Sequence, residues 1–127
     1  MENELFRVWS YRDKAYLNNE FGDIALLPNG EVVFITGNDV KRVTGIYKVE
    51  YYTGVDDVNG KKIYEGDIIC QQMRFVETNG LIFWQKEKAR FSVNLDGFIT
   101  TITKPQEHSY EVVGNIHQNK YLLEEQL

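Results

Sequence analysis

The sequence predicts an all-β fold: a bent, partly closed SH3-like barrel, with β-hairpins packed on it from the N-terminal side and a short C-terminal helix. Three observations predict it. Asn29-Gly30, Asn59-Gly60, Asn79-Gly80 and Asp96-Gly97 punctuate the chain at short intervals, and these dipeptides tolerate the positive φ angles of tight hairpin turns. Between them, segments such as Tyr47 to Tyr52 and Phe91 to Leu95 alternate apolar and polar residues with the period of two that marks a half-buried strand. No segment before Asn119 sustains a helical period.

Taken in order, Leu5-Phe6-Arg7-Val8-Trp9 reads as a first strand, Tyr11 to Lys14 as a turn and Ala15-Tyr16-Leu17 as the returning strand. Trp9 at strand spacing is better read as a packed core ring than as a ligand contact. The polar stretch Asn18 to Gly22 is a loop. Ile24 to Leu27 and Glu31 to Ile35 flank Pro28-Asn29-Gly30 as a second hairpin. Thr36 to Thr44 has no clear period and reads as a loop, with the basic pair Lys41-Arg42 solvated. Tyr47, Val49 and Tyr51 then form one face of a strand, with Lys48, Glu50 and Tyr52 on the other.

The stretch from Tyr51 to Gln71 organises the rest. Asn59-Gly60 suits a type I′ reversal, Ile63-Tyr64 is a short apolar pair, Glu65-Gly66-Asp67 is a second turn, and Ile68-Ile69-Cys70 launches a core strand. That strand is expected to run from Ile68 to Val76, with Glu77 to Gly80 as its turn, followed by Leu81 to Trp84. Gln85 to Arg90 is a charged bend. Phe91 to Leu95 and Phe98 to Ile102 are joined at Asp96-Gly97, Pro105 to His108 is a loop, and Tyr110 to Val113 is a closing strand ended by Gly114. Asn119 is placed to cap a helical turn carrying Tyr121, Leu122 and Leu123, and the late acids Glu124 and Glu125 oppose its dipole and favour fraying. A chain of 127 residues fits one domain, divided into hairpins at 1–47, barrel at 48–118 and helical tail at 119–127.

Composition narrows the setting. One cysteine allows no internal disulfide and fits a reducing cytoplasm. No run approaches the roughly 18 apolar residues of a membrane span, and Glu2 and Glu4 are unlike a secretion signal. The net charge of −5, from 19 acidic and 14 basic residues, argues against nonspecific nucleic-acid binding, which needs a basic surface.

Phe6-Arg7-Val8-Trp9, then Tyr52-Thr53-Gly54 with Asp57-Val58-Asn59-Gly60-Lys61-Lys62-Ile63-Tyr64-Glu65-Gly66-Asp67-Ile68, then Tyr110-Glu111-Val112-Val113-Gly114-Asn115-Ile116-His117-Gln118-Asn119 resemble three blocks of the YopX family, in order and at the expected spacing. Ser10 stands where that family usually has an acidic residue, and Lys120 where a proline often precedes the terminal helix. The resemblance implies a β barrel and a protein encoded by a bacteriophage or prophage, acting in the host cytoplasm. It implies no particular reaction.

The residues select no reaction either. Aligned on Gly60, a calcium loop would need carboxylates where Val55 and Gly66 stand, so Asp56, Asp57 and Glu65 read as turn residues satisfying backbone amides. His108 and His117 lack metal-ligand spacing with each other or with Cys70, and Cys70 among apolar neighbours reads as an inert buried thiol. Gly54, Gly60 and Gly66 lack the lysine and following helix of a phosphate loop. No serine sits in a glycine-flanked hydrolase corner.

The expectation is therefore a non-enzymatic accessory protein, without cofactor or metal, that binds a macromolecule. A host or phage protein is the favoured partner, with self-association as a corollary of many strand edges, and no membrane is implied. The alternative is a small-barrel nucleic-acid module, in which Tyr52, Tyr64, Trp84 and neighbouring rings stack bases beside Lys61, Lys62, Lys86, Lys88 and Arg90. Convergence of these residues on one face is what separates the two. An enzyme would require Cys70 or His117 to line a cleft with a carboxylate.

Overall fold

Hairpin turns set the architecture, as the sequence predicts. The computed structural model describes residues 5–73, 76–102 and 109–124. Its secondary structure is mainly β, and the chain forms two compact units, Met1–Glu50 and Tyr51–Leu127.

In the first unit, β1 (Phe6–Ser10) and β2 (Ala15–Tyr16) pair with Trp9 opposite Tyr16, and Trp9 is buried. The expected loop after β2 contains a 3₁₀ turn at Asn19–Phe21, where the Asn18 side chain accepts from Glu20 N at 3.0 Å. Strands β3 (Asp23–Leu26) and β4 (Val32–Thr36) form the second hairpin. The region from Thr36 to Thr44 is not a plain loop: Asp39–Arg42 is a strand, β5, which pairs in unbroken register with β4. All four of its residues are exposed. With neither face buried, the strand has no need of apolar alternation, and so left no period in the sequence. The first residues of β6 (Tyr47–Asp56) complete the unit. Its core gathers Phe6, Val8 and Val32, with Leu17, Ile24, Leu26, Val43, Tyr47 and Val49 packed around them.

The second unit begins within β6, whose later residues pair with β7 (Lys62–Tyr64) across a bulge between Tyr52 and Asp56. Asp57 builds the connecting turn: its Oδ1 accepts from Asn59 N and Lys61 N, both at 2.9 Å, and its Oδ2 from Val112 N at 2.9 Å. The turn is not type I′, because Gly60 alone takes a positive φ, 79°, and Asn59 does not. Gly60 N donates to Asp57 O at 3.0 Å, as in the longer loops that end in a left-handed glycine.

Five strands follow in one sheet, ordered β11-β10-β9-β8-β12: β8 (Asp67–Met73), β9 (Val76–Gln85), β10 (Arg90–Leu95), β11 (Phe98–Thr101) and β12 (Tyr110–Asn115). The sheet curls as a half barrel. Among the described residues no ladder joins β11 to β12. Two boundaries differ from expectation. Val76 opens β9 rather than ending β8, and Glu77 to Gly80 are strand, with Gly80 opposite Ile69. Gly80 is there for room: a Cβ would lie 2.7 Å from Val93 Cγ2 and 2.9 Å from Asn94 O. The charged bend is a 3₁₀ turn, Lys86–Lys88, and the expected loop from Pro105 to His108 lies outside the described residues.

Ile63, Ile69, Ile82, Val93, Leu95 and Tyr110 fill the second core with Val55 and Ile102, each fully buried aliphatic contributing about 1.5–3 kcal/mol relative to exposure. The C-terminal helix α1 (Tyr121–Glu124) has four residues. Asn119 does not cap it with its side chain, which turns back to accept from Asn115 N at 3.1 Å. Asn79 holds the helix instead, donating from Nδ2 to Leu122 O at 3.1 Å. No helix among the described residues is long and apolar enough to cross a membrane.

Candidate functional site

A surface groove lies on the first unit. The β1–β2 turn and the strands β4 and β5 leave between them a groove of about 270 Å³, bordered by Tyr16, Leu17, Phe34 and Val43 with Arg12 and Arg42. Ser10 Oγ accepts from Asp13 N at 3.2 Å and closes the turn that carries Arg12. Arg12 donates from Nη1 to Thr44 Oγ1 at 2.9 Å and pairs with Asp13 at 3.2 Å. Arg42, on β5, pairs with Glu31 at 3.1 Å while remaining largely exposed. Such exposed pairs are worth little, about 0–1 kcal/mol, so both guanidinium groups are exchangeable toward another carboxylate. Neither arginine belongs to the set expected from the sequence, where Lys41-Arg42 reads as solvated loop. The density of that basic pair was the one available signal.

One side of the groove is anchored by a buried network. Glu50 has a fully buried side chain, and its Oε1 accepts from Arg7 Nε at 2.9 Å and from Tyr16 OH at 2.8 Å. The Arg7 guanidinium also lies over the Tyr16 ring, 4.4 Å from its centroid, and Trp9 meets that ring edge-on at 4.9 Å. The Phe-Arg-x-Trp block thus has a structural role: it fixes the tyrosine that borders the groove. Glu50 was expected on a polar face, and its partner lies 43 residues away.

The residues expected to form an interaction surface fall into two groups, both on the second unit. On β6 and β7, Tyr52 and Tyr64 lie opposite one another with centroids 5.8 Å apart. Lys62 Nζ sits over the Tyr52 ring at 4.6 Å, the Tyr52 hydroxyl donates to Asp56, and Lys61 is exposed in the turn. On β9 and β10, Trp84 and Phe91 meet edge to face at 5.0 Å. Trp84 is 47% exposed. Arg90 Nε donates to Gln85 Oε1 at 3.3 Å and to Ser92 Oγ at 3.2 Å, and Lys86 and Lys88 are exposed on the 3₁₀ turn. The rings and cations of these groups contact each other within separate ladders.

Cys70 is half-buried rather than enclosed, because Glu111 and Asn79 flank it on neighbouring strands. Burial first, then Glu77 and Glu111, push its pKa above the ordinary value of 9.0, which disfavours the thiolate a nucleophile needs. His117 uses its backbone N–H to bond Asn115 Oδ1 at 3.0 Å, and His108 lies outside the described residues. Glu65 accepts from Tyr51 N at 2.9 Å, on β6 fourteen residues earlier, so its side chain ties the turn to a strand and does not close the turn as Asp57 does. Among the described residues no group of three His, Cys, Asp or Glu side chains is placed to hold a metal.

These features define a small, mainly β protein with a groove on its N-terminal unit and two aromatic–basic pairs on its C-terminal one. The family model described as YopX protein matches residues 5–124, and the chain belongs to the YopX family. Two solved structures share the fold. Protein yopX from Bacillus subtilis is 19% identical, with a TM-score of 0.65 over 95% of this chain and 98% of that one. Protein EF1440 from Enterococcus faecalis is 21% identical, with a TM-score of 0.61 over 97% of this chain and 99% of that one. No curated protein matches the chain.

Proposed function

We propose that this YopX-family chain is a phage or prophage accessory protein that acts in the host cytoplasm by binding a host or phage protein, without catalysis. The observation that carries this is the groove of the first unit, lined by the apolar side chains Leu17, Phe34 and Val43 together with Arg12 and Arg42. It suits a segment that offers an apolar side chain flanked by carboxylates, exchanging exposed ion pairs for partly desolvated ones. A stacking platform for nucleic acid has less support. Lys62 and Arg90 are engaged by Tyr52 and by Gln85 and Ser92, and the ring pairs meet at angles of 51° and 68° rather than presenting free parallel faces.

The test is affinity capture of the tagged protein from infected host cells, with nuclease in a parallel sample, beside an Arg12→Glu/Arg42→Glu variant. A protein that survives nuclease and is lost with the variant is the expected result. Recovery of nucleic acid alone, or capture indifferent to the charge reversal, overturns it.

A further inference from the structure

Asn-Gly occurs three times in the chain, and two of the three occupy turns of one design. Around Pro28-Asn29-Gly30, Leu27 N donates to Glu31 O at 2.8 Å and Gly30 N donates to Leu27 O at 2.9 Å. Around Val58-Asn59-Gly60 the same two bonds run from Asp57 N to Lys61 O at 2.7 Å and from Gly60 N to Asp57 O at 3.0 Å. Gly30 and Gly60 both take positive φ, 91° and 79°, as in three-residue loops that end in a left-handed residue. Both dipeptides are exposed. The third, Asn79-Gly80, lies within β9, and its glycine is buried.

The two matched turns differ in what holds the asparagine side chain. Asn29 is clamped to Glu31: its Oδ1 accepts from Glu31 N at 3.0 Å, and its Nδ2 donates to Glu31 Oε1 at 2.9 Å. The equivalent position after Asn59 is Lys61, whose side chain offers no acceptor and whose backbone N–H is taken by Asp57 Oδ1. Among the described residues the Asn59 side chain has no hydrogen bond. Asn79 is held as Asn29 is, with Nδ2 donating to Leu122 O at 3.1 Å.

The geometry points to Asn59-Gly60 as a modification site, at which the unrestrained side-chain amide cyclises onto the following glycine and is then hydrolysed by water. Gly60 has no Cβ to hinder approach to its nitrogen. When the exposed turn opens its bond to Asp57 O, hydroxide takes the Gly60 N–H proton. The nitrogen forms a bond to Asn59 Cγ, and the Cγ–Nδ2 bond breaks to release ammonia. Water opens the resulting ring at either carbonyl: attack at Cγ leaves aspartate at position 59, and attack at the main-chain carbonyl leaves isoaspartate, whose main chain is one carbon longer. Asp57 Oδ1 accepts from Asn59 N and Lys61 N, both at 2.9 Å, on either side of that lengthened link. Isoaspartate draws the two donors apart, and so loosens the turn from β12, which it holds through Asp57 Oδ2 to Val112 N and Val58 N to Tyr110 O. The inference is independent of the groove, which lies on the other unit.

The test is storage of the folded full chain in mildly alkaline buffer beside a urea-unfolded sample, followed by proteolysis and mass measurement of the three Asn-Gly peptides. In urea the three are expected to convert at similar rates, because the dipeptide is the same. In the folded chain Asn59 should convert faster than Asn29 by about tenfold or more, since two side-chain bonds must open at Asn29 first, and Asn79 should remain an amide. Lys61→Glu supplies the acceptor that Glu31 provides in the other turn, and should slow Asn59 in the folded chain without changing its rate in urea. The isoaspartate form, separated by chromatography, should unfold at lower urea than Asn59→Asp, whose main chain keeps its length. A folded Asn59 that converts no faster than Asn29, a Lys61→Glu variant that converts at the wild-type rate, or an isoaspartate form with the urea midpoint of Asn59→Asp overturns the proposal.

Discussion

Glu50 and Asp57 are buried carboxylates seven positions apart on the chain, and they are satisfied in different ways. Glu50 is held by side chains from two other strands, the Arg7 guanidinium and the Tyr16 hydroxyl. Asp57 is held by backbone amides, two of them within four residues and one on β12. A carboxylate facing a cation exposes the partner's charge when it is removed, whereas one facing amides leaves neutral donors behind. The first arrangement therefore depends on a cation that side chains bring to the carboxylate. The second spreads its bonds over a turn and a ladder.

The largest effect is expected at Arg7. Arg7→Met takes the cation away from the buried Glu50 carboxylate, leaving it the Tyr16 hydroxyl, and should destabilise by about 3–5 kcal/mol, measured as the loss in urea unfolding free energy. Adding Glu50→Leu removes the buried charge and should recover most of that loss. A single variant costing under about 1 kcal/mol would mean that water reaches Glu50 and the comparison fails. Asp57→Ala comes next, at about 2–3 kcal/mol, because each amide that lost its acceptor contributes roughly 1 kcal/mol and the two in the turn recover part of it from water. Asp57→Asn keeps an acceptor oxygen and should cost less than Asp57→Ala. Gly80→Ala tests packing alone: its new methyl meets Val93, Leu95 and the Asn94 carbonyl closer than 3 Å, and overpacking of this kind costs about 1–3 kcal/mol.

The same contrast explains what could be read from the sequence. Asp57 was legible because its main partners are local and a turn pattern announces them. The hairpins at Asn29-Gly30 and Asp96-Gly97 were legible for the same reason, as were Trp9, Ile68 and Ile69 as core. Glu50 was not, since nothing in an alternating strand says that the polar member meets an arginine 43 residues earlier. Asn79-Gly80 misled because the dipeptide marks conformational freedom, which a strand uses for close approach as readily as a turn uses it for positive φ. β5 and the groove it borders stayed hidden because an edge strand with two solvated faces carries no hydrophobic period.

The smallest effect concerns carboxylates that act at a distance from solvent-exposed positions. Glu111 lies directly across from Cys70, and Glu77 belongs to the other neighbouring strand. Both add to burial in raising the thiol pKa, so at a fixed pH below it the thiolate fraction is smaller than in a free cysteine. The rate of alkylation by iodoacetamide should therefore climb with pH over a range displaced upward from that of the urea-unfolded chain. Glu111→Gln removes one negative neighbour, which lowers the thiol pKa and moves the profile back toward lower pH. The unfolding free energy should stay within about 0.5 kcal/mol of wild type, as for most surface changes. A profile that does not move would assign the raised pKa to burial alone, and would leave Glu50 and Asp57 as the carboxylates whose charge the fold feels.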